Sequence, residues 1–181
     1  MYKKSVFINA AAIAIAGLVS QGAMAADGNI NFTGQIVDTP CSIAPDSQNL
    51  QVALGNVART SLDGGAGKKS TPAKFTINLT SCGATAKGAT VTFSGTADAT
   101  VADALKLSNA GTVGASGSAT GVAVEIDDSA GTKIPLGTAS ASYALGTGTN
   151  SLQFQAVYVS TGATVTSGPA NATAQFTVAY K

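Results

Sequence analysis

From Gly28 onward, apolar and polar side chains alternate with a period of two, the spacing of strands that bury one face. In residues 28–36 the apolar face reads Gly28, Ile30, Phe32, Gly34 and Ile36, and the polar face Asn29, Asn31, Thr33 and Gln35. Pro40 closes this run, because it cannot donate to a ladder. The alternation returns in residues 74–82, where Phe75, Ile77 and Leu79 share a face, at Val91 and Phe93, and at Val122, Val124 and Ile126. In residues 151–160 Leu152, Phe154, Ala156 and Tyr158 share a face. In the last segment Ala172, Ala174, Phe176, Val178 and Tyr180 oppose Asn171, Thr173, Gln175, Thr177 and Ala179. Shorter strands are expected at residues 51–54, at Leu105 and Leu107, and at residues 134–136, the last an edge because it carries Pro135. Residues 64–70 read as an exposed Gly-rich loop with Lys68 and Lys69 solvated, residues 111–121 as a Gly/Ser-rich loop, and residues 127–131 as a turn. On that reading Glu125, Asp127 and Asp128 are turn and surface charges. No amphipathic helix stands out beyond a turn near residues 99–105. Short strands separated by turn signals, with no linker or internal repeat, predict a single all-β domain, a sandwich of immunoglobulin-like kind.

The first 25 residues follow another pattern. Lys3 and Lys4 give a positive start, an apolar run from Val6 to Val19 is broken only by Asn9, and Ala23-Met24-Ala25 is small-x-small before Ala26. That is the order of a secretory signal peptide. The run is about 14 residues where a membrane span needs about 20, so residues 1–25 are expected to be a cleaved leader rather than an anchor. No later segment is apolar for long enough to insert in a membrane.

Composition narrows the chemistry. The 181 residues are 45% hydrophobic and 10% charged, with 21 Gly, no His and no Trp. Ten basic against nine acidic residues give a net charge of +1, too little basic excess to neutralise a phosphate backbone, so nucleic acid is not an expected partner. Without His there is no histidine metal ligand and no Ser-His-Asp or Cys-His machinery. The serines lack a base, Asp127 and Asp128 would point to opposite faces of a strand, and the acidic residues lack the spacing of a calcium loop. The reading is a protein that is not an enzyme, with no cofactor and no metal. Cys41 and Cys82 are the two cysteines, and in an exported chain they most simply form one structural disulfide.

The leading strand is the odd feature. It starts almost at the mature terminus and has no turn to a partner before Pro40. An unpaired terminal strand is an aggregation hazard unless another chain accepts it, and acceptance by a neighbour is β-strand addition. At this point the chain resembles a known family. The run Gly28-x-Ile30-x-Phe32-x-Gly34-x-Ile36, the pair Cys41 and Cys82, and an alternating last strand ending in Tyr180-Lys181 are similar to the structural subunits (pilins) of chaperone-usher fimbriae, most of all the major pilins of type 1-like fimbriae. That family carries a Gly fourteenth from the C-terminus and a penultimate Tyr, here Gly168 and Tyr180.

The resemblance implies an incomplete immunoglobulin-like β-sandwich lacking its last strand, with an N-terminal donor-strand extension. It divides the chain into residues 1–25 as signal peptide, 26–37 as donor extension and 38–181 as pilin domain. A periplasmic chaperone would fill the gap first. At an outer-membrane usher, the extension of the next identical or related subunit would replace it, giving a head-to-tail fimbria on the cell surface that supports adhesion. By this resemblance Gly28, Ile30, Phe32, Gly34 and Ile36 face the acceptor, and Gly168, Ala172, Ala174, Phe176, Val178 and Tyr180 lie on the strand that walls the groove. Burial of Ile30, Phe32 and Ile36 would contribute about 1.5–3 kcal/mol each, against about 1–2 kcal/mol per residue for ordering the extension, so the groove must be preformed. Two other readings stand beside it: a minor adaptor or initiator subunit of the same kind of fibre, and a monomeric secreted binding module with a complete sandwich.

Overall fold

The computed structural model describes residues 30, 31, 33, 34, 40–108 and 117–181. The chain divides into a leading unit, Met1–Ile36, and a second unit, Val37–Lys181. The expected signal peptide, Gly28, Phe32 and Ile36 lie outside the described residues, as does most of the loop at 111–121. In the leading unit Ile30, Asn31, Thr33 and Gly34 are exposed and carry no regular structure.

The second unit is built almost wholly of strands. In chain order these are β1 (Ser42–Ile43), β2 (Ala73–Cys82), β3 (Gly88–Gly95), β4 (Val122–Asp128), β5 (Tyr143–Ala144), β6 (Gly148–Ser160) and β7 (Ala174–Tyr180), with a helical turn, α1 (Pro45–Gln48), after β1 and a 3-10 turn at Arg59–Ser61. They form two antiparallel sheets, one in the order β1-β2-β6-β4 and the other β5-β3-β7. β6 is long enough to pair with β2 along its first part and with β4 along its last. The register sets Ile77 opposite Leu152 and Phe75 opposite Phe154, so the apolar faces read from the sequence meet in one layer. From the facing sheet Ala89, Val91 and Phe93 of β3 close the core and are at most 3% exposed. Phe93 meets the Phe154 ring edge-on at 5.1 Å, and Phe75 stacks on Phe154 at 5.6 Å.

Cys41 and Cys82 are joined in a disulfide that ties the start of the unit to the end of β2. Beside it, α1 is pinned to the same strand. The buried Ser47 hydroxyl accepts from the Asn78 amide at 2.9 Å, while the Asn78 side chain donates to Asp46 at 3.2 Å and accepts from Ser151 at 2.8 Å.

Three short strands expected from the sequence are not strands. Residues 51–58 pair with no strand among the described residues, although Val52 and Leu54 alternate half-buried with exposed neighbours. Leu105 forms isolated bridges to Ala97 and Val124, and Ile134 donates to the Ile126 carbonyl at 2.9 Å without extending the sheet. Leu105 and Ile134 are buried and Val52 and Leu54 half-buried, as the pattern predicts, but none has a partner long enough for a ladder.

A second correction concerns charge. Glu125 and Asp127 are 4% and 3% exposed, not surface charges, and Lys69 is not simply solvated. Residues 67–70 run beside the end of β6, with Ser160 donating to the Lys68 carbonyl at 2.9 Å and Lys69 bridging Val159. From there the Lys69 ammonium reaches Glu125 and, at 3.3 Å, Asp127. The outward face of β4 is therefore covered, and its two carboxylates, two residues apart on one face, share a lysine.

Candidate functional site: an open groove along the last strand

β3 and β7 lie side by side in one sheet, yet their inward side chains are treated differently. Those of β3 are sealed, whereas Phe176, Val178 and Tyr180 of β7 are half-buried. The cause is topology: β7 ends its sheet, with β3 on one side and no strand on the other among the described residues. What lies there is a groove of about 1080 Å³. One rim is residues 50–55, which present Leu50, Val52 and Leu54; the other is Ala170–Phe176. Its floor holds Phe75, Phe93, Val124, Ile126, Ala156 and Tyr158, drawn from both sheets, and Leu105 from the segment between β3 and β4.

The backbone of β7 faces the groove as well. Gly88 and Lys181 exchange both main-chain hydrogen bonds, at 3.2 and 2.8 Å. In an antiparallel ladder such pairs alternate with unbonded ones, so Ala179, Thr177 and Gln175 bond to β3. Ala174, Phe176, Val178 and Tyr180 then turn their N–H and C=O groups to the open edge while their side chains point inward. An apolar cleft bordered by free main-chain donors and acceptors is what a strand from elsewhere needs in order to bind.

Of the residues expected to wall the acceptor, Ala172, Ala174 and Phe176 line the groove directly, and Val178 and Tyr180 continue the same face beyond it. Tyr180 points its hydroxyl towards the Cys41 carbonyl at 3.4 Å, and burial pushes its pKa above the usual tyrosine value. Gly168 precedes the groove. Its φ of +154° and its packing against the Gly117 backbone are open to glycine alone. In the leading segment Ile30, 80% exposed, is the large hydrophobic side chain left uncovered among the described residues. Sequence reasoning missed the rim at residues 50–55 as a groove element, and it missed the tie from the Tyr158 hydroxyl to the Ala170 carbonyl at 2.7 Å. Tyr158 was legible as an inward position of β6, but no local signal announces where its hydroxyl goes.

Comparison with known proteins agrees with this geometry. The family described as fimbrial protein matches residues 30–181. The chain is 41% identical over 180 residues to a probable major fimbrial subunit of Escherichia coli O157:H7, covering 99% of this chain and 97% of that one. Among solved structures it is similar to a type I fimbria protein of Burkholderia pseudomallei, with 39% identity, a TM-score of 0.59, and 84% and 97% of the two chains covered. It is also similar to a subunit of a chaperone-usher pilus whose structure addresses rod uncoiling, with 27% identity, a TM-score of 0.68, and 86% and 96% covered. With two antiparallel sheets, an open groove beside the last strand and relatives that match along nearly their full length, the chain belongs to the fimbrial protein family of structural pilus subunits.

Proposed function

We propose that the groove is an acceptor for the leading segment of another copy of this chain, and that fibre growth is the repeated filling of one subunit's groove by the next subunit's residues 26–37. The observation that carries this reading is the double character of β7: inward side chains left half-buried and outward main-chain groups without a strand partner among the described residues. The leading segment offers the complement. Its five apolar-face positions, Gly28 to Ile36, equal in number the alternate positions Ala172, Ala174, Phe176, Val178 and Tyr180. Ile30, Phe32 and Ile36 supply the apolar surface, and Gly34 allows close backbone approach. Donor and acceptor are different segments, so the contact is head-to-tail and does not close on itself.

An unfilled groove of this kind would aggregate, which argues for temporary cover before assembly. A periplasmic chaperone that lends a strand, followed by replacement at an outer-membrane usher, meets that need. Residues 1–25 serve as the export signal, and the mature subunit works on the cell surface without catalysis or cofactor.

Deleting residues 26–36 from the mature chain tests the reading. The truncated subunit keeps its groove and is expected to accumulate in chaperone-bound form, but it cannot be incorporated behind another subunit. Fibres of normal length built from it alone would overturn the proposal.

A further inference from the structure

Along residues 169–181 the carbonyls alternate in direction, and the alternation locates a stop. The Pro169 carbonyl accepts from Ala119 at 3.1 Å and the Asn171 carbonyl from Ser108 at 2.7 Å, while Gln175 to Lys181 bond to β3 at every second residue. The intervening residues turn the other way, towards the groove. Ala170 is the first of them, and its carbonyl is taken by the Tyr158 hydroxyl at 2.7 Å. That hydroxyl is firmly held. The Tyr158 backbone is fixed on β6 by Ser70, which accepts from the Tyr158 amide at 3.0 Å and donates to the Tyr158 carbonyl at 2.9 Å.

We infer that Tyr158 is a register stop on the acceptor edge: by occupying the Ala170 carbonyl it leaves the edge from Ala172 to Tyr180 for a donor and so fixes which donor residue meets which part of the groove. The inference rests on the reading of the groove as an acceptor. A period-two strand can slide by two residues without exchanging its faces, so alternation alone does not fix register. Here a slide of two towards Ala170 would move every donor side chain one place along, so that the large and small positions of residues 28–36 would no longer meet their own parts of the groove. It would also require breaking the tyrosine bond and leaving a part-buried hydroxyl unpaired. Tyr158 is a positioning residue, acting through the edge that it terminates.

Amide hydrogen exchange on sheared fibres, read residue by residue by solid-state NMR, tests this. In unmodified fibres the amides of Ala172 to Tyr180 on the groove side should be protected, and that of Ala170 should exchange near the solvent rate. In Tyr158→Phe fibres, which keep the ring, the Ala170 amide should slow by about tenfold or more and the Tyr180 amide should become faster. A merely structural role would lower fibre stability without moving this pattern. An unchanged pattern in Tyr158→Phe fibres overturns the stop, and so does protection of Ala170 in unmodified fibres, a result that needs no variant to assemble. Absence of protection from Ala172 to Tyr180 in unmodified fibres overturns the acceptor reading itself, and the stop with it.

Discussion

Gly168 packs against Gly117 so closely that a β-carbon on Gly168 would overlap the Gly117 carbonyl oxygen. This approach, made at a φ of +154°, turns the chain into the rim of the groove two residues before Ala170. Gly168→Ala should therefore cost at least about 2 kcal/mol, since it adds both a backbone strain and a clash. Gly162 has open space around it and no positive φ, so Gly162→Ala is the control and should change stability by no more than about 0.5 kcal/mol. Denaturant titration of the two variants checks the contrast.

The disulfide closes a loop of 41 positions. Replacing Cys41 and Cys82 together by serine should destabilise the subunit by about 4 kcal/mol on the chain-entropy account. The measurement is the denaturation midpoint of the variant against that of the oxidised protein. Addition of reductant to the oxidised protein should reproduce the loss and leave the double variant unchanged.

Phe93 sits in both the core and the groove floor, 3% exposed and edge-on to Phe75 at 6.2 Å and Phe154 at 5.1 Å. Phe93→Ala removes that wedge and should cost about 3–5 kcal/mol. Subunit yield in sheared fibres should fall along with the stability of the isolated protein.

Burial raises the pKa of Asp127 to about 6 from 3.8, and the neighbouring Glu125 adds to the rise while Lys69 opposes it. Burial pulls the Lys69 pKa down, but its bonds to Glu125 and Asp127 outweigh this and hold it above the usual value. Across β4, Lys133 pairs with Asp103 at 2.8 Å. A carboxyl whose pKa is raised by folding favours the folded state when protonated. Its contribution is fully present below about pH 4 and is lost as pH rises through about 6. Asp127→Asn cannot titrate there and can still donate to Glu125. It should flatten the stability profile between those values and raise stability at pH 7 by on the order of 2 kcal/mol, read from unfolding curves at a series of pH values.

Much of this architecture was legible in the alternation of side chains. β2, β4 and β6 lie where Phe75, Val124 and Phe154 predict them, because a strand that buries one face must repeat every second residue. The pattern states which side chains turn inward. It does not state whether a partner strand is present, so Val52, Leu54 and Leu105 read as strands and prove to be groove rim, groove floor and bridge. It is also blind to cover on the outer face. Glu125 and Asp127 alternate with Val124 and Ile126 as surface charges would, and are buried because Lys69, 58 positions from Asp127, folds over them. The expectation of an open edge came from a family resemblance and not from periodicity, since the sequence of β7 does not record that, among the described residues, it ends its sheet.

The central claim, that residues 26–37 of one copy occupy the groove of another, is tested most directly by replacing Phe32 with a photo-crosslinking phenylalanine analogue and irradiating sheared fibres. Mass spectrometry of the crosslinked peptides should join position 32 of one subunit to the groove of a second, at residues such as Phe75, Phe93 or Phe176, with a ladder of covalent oligomers on a denaturing gel. Crosslinks confined to the same polypeptide, with no ladder, would contradict it.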